Sequence, residues 1–494
     1  WTSISTAPEI TATASGAIAA KDPIVINSSG QAVKVAESIS LQAPATSGTS
    51  DRIQTSYGTH YAPGLIYVAS INRFFTVYPR WTDNYAMARM GTPTGGNAIS
   101  WGAEIAVSNA VGYHPAVTFD ENVGVPVFAW HTQNNTHSYV RACAINTSTN
   151  AMTHGSLTKV INYQYVFNNH LVYNASAQKV FYGYTSGSDN KVKFRSMSIS
   201  GSTVTLGGYY EPTNDSSDVV GMVYDPDNNC VVAFVKFNAG SYNGRIMSIN
   251  LTASGTSVTG GSWQTVEQHN LHNFFTASYD EEQNRIVVAY AQTTTNGSLY
   301  GKIGQGNSSS YSWGSKTTIG SGLDVSSQRG FSCYDANAKR VVIGWTNGSN
   351  SAKAVSVGGT GYSYTLGTIG EILTHNNRFS QQNNNNIATY YPTGGGIMFG
   401  YSDTSTSSQP STRLMTTANV TSNVNANNFV GFAKNSIGSG GSVTVNVSGA
   451  TTDWTASSLT PGSYYYVKGD GTLDTSGVAG AGIALSSTKL LIKG

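Results

Sequence analysis

One short pattern returns along this chain of 494 residues. Its clearest copy is SYDEEQNRIVVAY at 278–290: an aromatic–acid pair, a polar turn, then an apolar run that ends in an aromatic. That order reads as strand, tight turn, strand. Other copies are TFDENVGVPVFAW (118–130), VYNASAQKVFYGY (172–184), VYDPDNNCVVAF (223–234), CYDANAKRVVIGW (333–345), TYYPTGGGIMFGY (389–401) and a weaker YVASINRFFTVY (67–78). The residue after the first aromatic marks each copy: Val68, Asp120, Asn174, Asp225, Asp280, Asp335 and Tyr391. The gaps are 52, 54, 51, 55, 55 and 56 residues, which is the signature of a repeat architecture.

A second series interleaves with the first. AISWG, AMTHG, TVTLG, SVTGG, SYSWG and SYTLG end at Gly102, Gly155, Gly207, Gly260 or Gly261, Gly314 and Gly367. Each lies roughly 30 residues after a first marker, which leaves room for two more strands per repeat. Four short strands per repeat predict a propeller blade. Seven first markers meet six second markers. The missing one precedes the first repeat, in SISLQAP at 38–44. This N-terminal strand is expected to complete the last blade and so hide the exposed sheet edges. The predicted class is all-β: a seven-bladed β-propeller over 38–424, inserted in a small β-sandwich or barrel-like domain made from 1–37 and 425–494.

That small domain reads as internally doubled. DPIVINSSGQAV near the N-terminus parallels GSYYYVKGDGTL near the C-terminus, and VGFAKNSI parallels AGIALSST. Splitting the first copy around the repeats would bring the two ends of the ring together.

Composition narrows the partners. Charged residues make up 11% of the chain and the net charge is +2, with no basic stripe, which argues against nucleic acid. No apolar run approaches the roughly 18–20 residues of a membrane helix, so membrane insertion is not expected. The three cysteines, Cys143, Cys230 and Cys333, sit in different repeats without zinc spacing and read as free thiols, so no metal is expected. The recurrent Asp120, Asp225, Asp280 and Asp335 are too regular to be catalytic and read as turn residues that accept local backbone hydrogen bonds. Neither a sialidase-type Asp box nor a phosphate loop is present. The expectation is therefore a protein that is not an enzyme and uses no cofactor.

Binding residues are sought in the segments just before each first strand, because loops on a rigid scaffold carry function. YGTHYAP holds His60 and Tyr61; VGYHPA holds Tyr113 and His114; FNNHLV holds Asn168 and His170. Asp218 precedes the fourth marker, EQHNLHNFF holds His272 and Asn273, SSQRGF holds Arg329 and HNNRFS holds Arg378. Rings beside amides and guanidinium groups suit sugars: the ring stacks on the apolar sugar face while polar groups read hydroxyls. The same residues would equally serve to cap strand ends around a central channel.

The segments VGFAKNSI, SSLTPGSYYYVKGDGTL and GIALSSTKLLIKG, in this order and spacing, together with the repeats, resemble tail-fibre-like virion proteins of bacteriophages, particularly those of marine cyanobacteria. The resemblance implies an extracellular virion component that contacts other virion proteins, further copies of itself or a host surface glycan. The alternative is an extracellular carbohydrate-binding propeller, a lectin or a glycosidase.

Overall fold

The structure, a computed structural model, describes residues 8–493 except 55–61, 81, 133–136, 163–165, 240–243, 270, 293–296, 322–329, 348–350, 375–378, 380–386 and 404–406. Its described residues form strands and turns, with a single 3-10 turn at Ala69–Ile71 and no α-helix. None of its helices is long and apolar enough to cross a membrane. The chain divides into two compact units: Trp1–Ser40 with Asn419–Gly494, and Leu41–Ala418.

The larger unit repeats one antiparallel motif. In its fifth copy, Leu271–Asp280 pairs with Arg285–Gln292, which pairs with Leu299–Gly306, which pairs with Tyr311–Trp313. The first and second copies are joined into one nine-stranded sheet, because Ile105–Asp120 pairs with both Tyr85–Gly95 and Val125–Thr132. The last sheet takes Ala388–Tyr391, Gly396–Asp403 and Gln409–Ser422, and its next strand is Glu37–Thr46 from the other end of the chain.

Second strands are apolar on both faces because each is covered on both sides. Every residue of Arg285–Gln292 is buried. Each neighbouring pair of repeats shares a cluster of apolar side chains. Val127 and Val140 pack with Val180 and Tyr182, for example, and Val287 and Ile303 pack with Val341 and Val355. The series closes on itself: Leu65, Phe74 and Ile99 of the first repeat share a core with Tyr391, Met398 and Leu414 of the last.

The turns explain both sequence markers. Each turn between first and second strands ends in a left-handed residue, among them Asn72, Gln178, Asn229, Asn284 and Lys339 at φ near 50°. The marker side chains of Asp120, Asn174, Asp225 and Asp335 cap these turns. Asp225 Oδ1 accepts from the amides of Asp227 and Asn228 at 3.0 and 3.1 Å, and Asp335 Oδ1 accepts from those of Asn337 and Ala338 at 3.0 and 3.3 Å. Asp280 departs from the expectation. Its Oδ2 accepts from Arg285 Nε at 2.8 Å, with both side chains buried. The glycine series marks close approach. A Cβ on Gly102, Gly155 or Gly207 would lie 2.0, 2.0 or 1.8 Å from a carbonyl oxygen in the third-to-fourth-strand turn of the next repeat.

The smaller unit holds two five-stranded sheets. One runs Glu9–Thr13, Ser442–Asn446, Phe429–Ala433, Pro23–Ile26, Ala32–Lys34; the other runs Thr451–Asp453, Lys489–Ile492, Ala479–Ser486, Tyr464–Val467, Leu473–Asp474. The orders match strand for strand. Gly431 and Gly482 occupy equivalent bulged positions at φ 151° and 149°. Any Cβ there would strike a facing carbonyl at 1.9 or 2.0 Å. Val25 and Phe432 of the first sheet share a core with Tyr465, Val467 and Leu490 of the second.

Candidate functional site

The first strands of the repeats line a cavity of about 610 Å³ in the larger unit. Each first strand gives consecutive residues to the lining, as Ala277, Ser278 and Tyr279 do. Inner positions carry small or apolar groups such as Thr118, Leu171, Met222, Ala277 and Ser332. The position before each marker carries an aromatic: Tyr67, Phe119, Tyr173, Tyr224, Tyr279, Tyr334 and Tyr390. Glu121 and Glu281 follow the marker in the second and fifth repeats and also line the cavity.

The tyrosine hydroxyls are already engaged. Tyr173 accepts from the Asn122 amide at 3.1 Å, and Tyr224 accepts from the Ser176 amide at 3.3 Å. Tyr279 donates to Asp227 Oδ2 at 2.7 Å, and Tyr390 donates to Asn337 Oδ1 at 2.7 Å. Tyr334 accepts from the Glu282 amide. In each case the partner sits in the turn of the preceding repeat. Tyr67 reaches Thr393 in the last repeat and donates to Asn72 Oδ1 at 2.8 Å. The hydroxyls therefore tie neighbouring sheets together, and the partly exposed ring faces are what remains for a ligand.

The electrostatics at this end are acidic. Partial desolvation and then the Asp280 carboxylate raise the Glu281 carboxyl above its usual range. The Tyr334 phenol is raised by desolvation and then by Asp280, Glu281 and Glu282. Cys333 also lines the cavity, and burial with the nearby Asp335 pushes its thiol well above the usual range. Among the described residues no group of His, Cys, Asp and Glu is arranged to hold a metal ion.

The described ones among the residues predicted from sequence lie at the other end of the first strands. Their segments were expected to be loops, and the structure corrects this. Ile105–Asp120, Val166–Asn174 and Leu271–Asp280 run through them as strand. Each carries a register shift, between Tyr113 and Ala116, Phe167 and His170, and Leu271 and Phe275. A bulge adds a residue and breaks the two-residue alternation, so the sequence there looks like loop.

His170 is 1% exposed, and burial lowers its imidazole to about 3. It is an interior neutral histidine, not a surface ligand group. His114 sits at the bulge with φ 49°, its ring 4.7 Å from the buried His131 ring. Asn169 Nδ2 donates to the His114 carbonyl at 3.0 Å. Asp218 accepts from Asn238 Nδ2 at 2.7 Å. Tyr113, Asn168, His272 and Asn273 are placed on these strands by their backbone only, and their side chains lie outside the description. His60, Tyr61, Arg329 and Arg378 lie outside the described residues. The aromatic ring at the opposite end was visible in the sequence only as a repeat marker.

No family model matches the chain, and no curated protein matches it. Solved structures do. One is the periplasmic gluconolactonase PpgL of Pseudomonas aeruginosa: 9% identity, 68% of this chain and 97% of that one, TM-score 0.46. A second is a Bacteroides fragilis protein assigned as a 6-phosphogluconolactonase: 9% identity, 74% and 98% coverage, TM-score 0.45. A third is the α-L-arabinofuranosidase Arb93A of Fusarium graminearum, seen with an iminosugar inhibitor: 9% identity, 64% and 97% coverage, TM-score 0.39. These neighbours are enzymes, and they overturn the expectation that this chain is not one. That expectation rested on missing signatures, which chains this distant would not share. At this distance the likeness carries no activity over to the chain.

Proposed function

We propose that the larger unit is a seven-bladed β-propeller that binds carbohydrate in its aromatic-lined cavity. The single observation that carries this reading is the ring of aromatic side chains whose hydroxyls are spent on neighbouring turns while their faces line the cavity. Ring faces stack on the apolar faces of sugars, and Thr118, Ser278, Ser332 and Thr389 in the same lining supply hydroxyls for hydrogen bonding. A volume of about 610 Å³ falls in the range of small-ligand sites. The seven-blade count is supported by the shared apolar cluster at each junction and by the N-terminal strand in the last sheet. The resemblance of the C-terminal segment to phage tail-fibre-like proteins supports a virion appendage as the setting and a bacterial surface glycan as the ligand.

The test is calorimetric titration of the whole chain with an oligosaccharide panel, repeated with Tyr224→Ala and Tyr224→Phe. The alanine variant is expected to lose about ten-fold or more in affinity, since a sugar–ring contact is worth on the order of 1–2 kcal/mol. Phenylalanine keeps the ring face and is expected to bind like the wild type, as Phe119 stands naturally in the same ring. Equal binding by the alanine variant would place the sugar elsewhere. Release of reducing ends during the titration would add hydrolysis to binding.

A further inference from the structure

From the charges around the cavity, we propose that it prefers a sugar bearing a free ammonium group over neutral, N-acetylated or acidic sugars. This inference rests on the carbohydrate reading above and deepens it. Among the described residues, the lining includes Glu121 and Glu281 and no lysine, arginine or histidine. The remaining mouth is aromatic, with Tyr173, Tyr224, Tyr279 and Tyr334 spanning the third to sixth repeats. An ammonium ion is drawn to the negative face of an aromatic ring, and more strongly where water is partly excluded. A carboxylate at the same rim adds charge attraction that an N-acetyl group cannot use. A sugar carboxylate or sulfate would meet the two glutamates without any cation to neutralise it.

The shifts at this rim run in the direction that the two glutamates imply, with desolvation the larger cause of each. The Glu281 carboxyl and the Tyr334 phenol are both raised, after desolvation, by surrounding acids. The cations found on these turns are turned to other work. Arg285 pairs with Asp280 in the interior, Lys339 lies 3.5 Å from Glu282, and Arg73 donates to the Asn72 carbonyl at 2.8 Å.

The experiment titrates the whole chain with three β-1,4-linked disaccharides: glucosamine, N-acetylglucosamine and glucose. It is run at about pH 6, where an amine stays protonated, and at low salt. The glucosamine disaccharide is expected to bind about ten-fold more tightly than the other two. Raising the ionic strength should shrink that margin, because the rim carboxylates face solvent. In Glu121→Gln/Glu281→Gln the margin of the glucosamine disaccharide should shrink several-fold, to the part that the ring faces supply. A wild type that binds all three equally would overturn the charge preference and leave the carbohydrate reading standing. A margin that is undiminished in the double variant would overturn the role of the two glutamates. Binding of none of the three would overturn the cavity as a carbohydrate site, and this inference with it.

Discussion

The two ends of the first strands are built on opposite plans. At the turn end, every repeat offers an aromatic and a left-handed closing residue, and four of the seven add a capping side chain, those of Asp120, Asn174, Asp225 and Asp335. At the bulged end the repeats diverge, with His114 against His131 in one and buried His170 in the next. It is natural to read repetition as structure and variation as function. On the binding reading proposed above, the aromatic ring breaks that rule. One tyrosine can hold a sheet junction with its hydroxyl and offer its face to a ligand. A residue repeated around a closed axis also converges in space on one cavity.

The sharpest way to break this comparison is inside the turn end itself, where Asp280 differs from its counterparts. Asp280→Ala removes the partner of a guanidinium that is fully buried and also donates to the Gly361 and Ser363 carbonyls. An uncompensated buried charge costs about 3–5 kcal/mol. Asp120→Ala removes a cap at 3.0 Å from the Val123 amide and is expected to cost about 1 kcal/mol. Urea midpoints of the two variants measure the difference. Equal losses would show that the ion pair contributes no more than an ordinary cap.

The bulged end should answer to acid. Burial lowers His170 to about 3 and His131 to about 4, both below the ordinary histidine value. The unfolded chain therefore binds more protons than the folded one in the window between about 6.5 and those values. Stability is full above that window and falls as the pH drops through it, by about 1.4 kcal/mol per pH unit for each histidine. At pH 5 each is expected to cost about 2 kcal/mol. His170→Leu should remove roughly half of the added slope between pH 6.5 and 5. Denaturant midpoints across this range would contradict the assignment if the variant and wild-type slopes coincide.

Much of the larger unit was legible because its signals are local and repeated. The turn residues, the Asp caps and the glycine series follow from short-range hydrogen bonding and sterics, so each copy carries its own mark. The doubled small unit was legible for the same reason, through Gly431 and Gly482. The cavity was not legible, because it exists only after closure brings seven distant aromatics around one axis. The partner of Asp280 was missed because Arg285, five residues on, reads as an ordinary strand-start charge. The histidine segments misled because a bulge in a strand and a loop share the same loss of alternation.

The glycine series offers a smaller test. Gly207→Ala would set a Cβ 1.8 Å from the Thr256 carbonyl oxygen, which belongs to the neighbouring repeat. Backbone cannot yield there without opening the junction, so a loss of about 1–3 kcal/mol is expected, as for overpacking elsewhere. Gly208→Ala, one residue on and with nothing near its Cβ, is the control and should melt close to the wild type. Similar melting of both variants would show that the glycine marks the turn for another reason.

The smallest expected effect separates the two duties of the aromatic ring. Tyr224→Phe deletes a hydroxyl that accepts from the Ser176 amide at 3.3 Å and lies 3.3 Å from its side-chain oxygen. Both partners are exposed, so water replaces the lost bonds and the cost should stay near 0.5–1 kcal/mol. The ring face remains, and so should sugar affinity. Tyr279→Phe makes a paired case, because its hydroxyl serves the Asp227 carboxylate at 2.7 Å. Tyr279 is buried, and a hydrogen bond to a charged group contributes more, about 1.5–3 kcal/mol. The two substitutions should therefore differ in thermal stability and agree in binding. If affinity falls in step with stability, the hydroxyls themselves contact the ligand, and the division between a structural hydroxyl and a binding face does not hold.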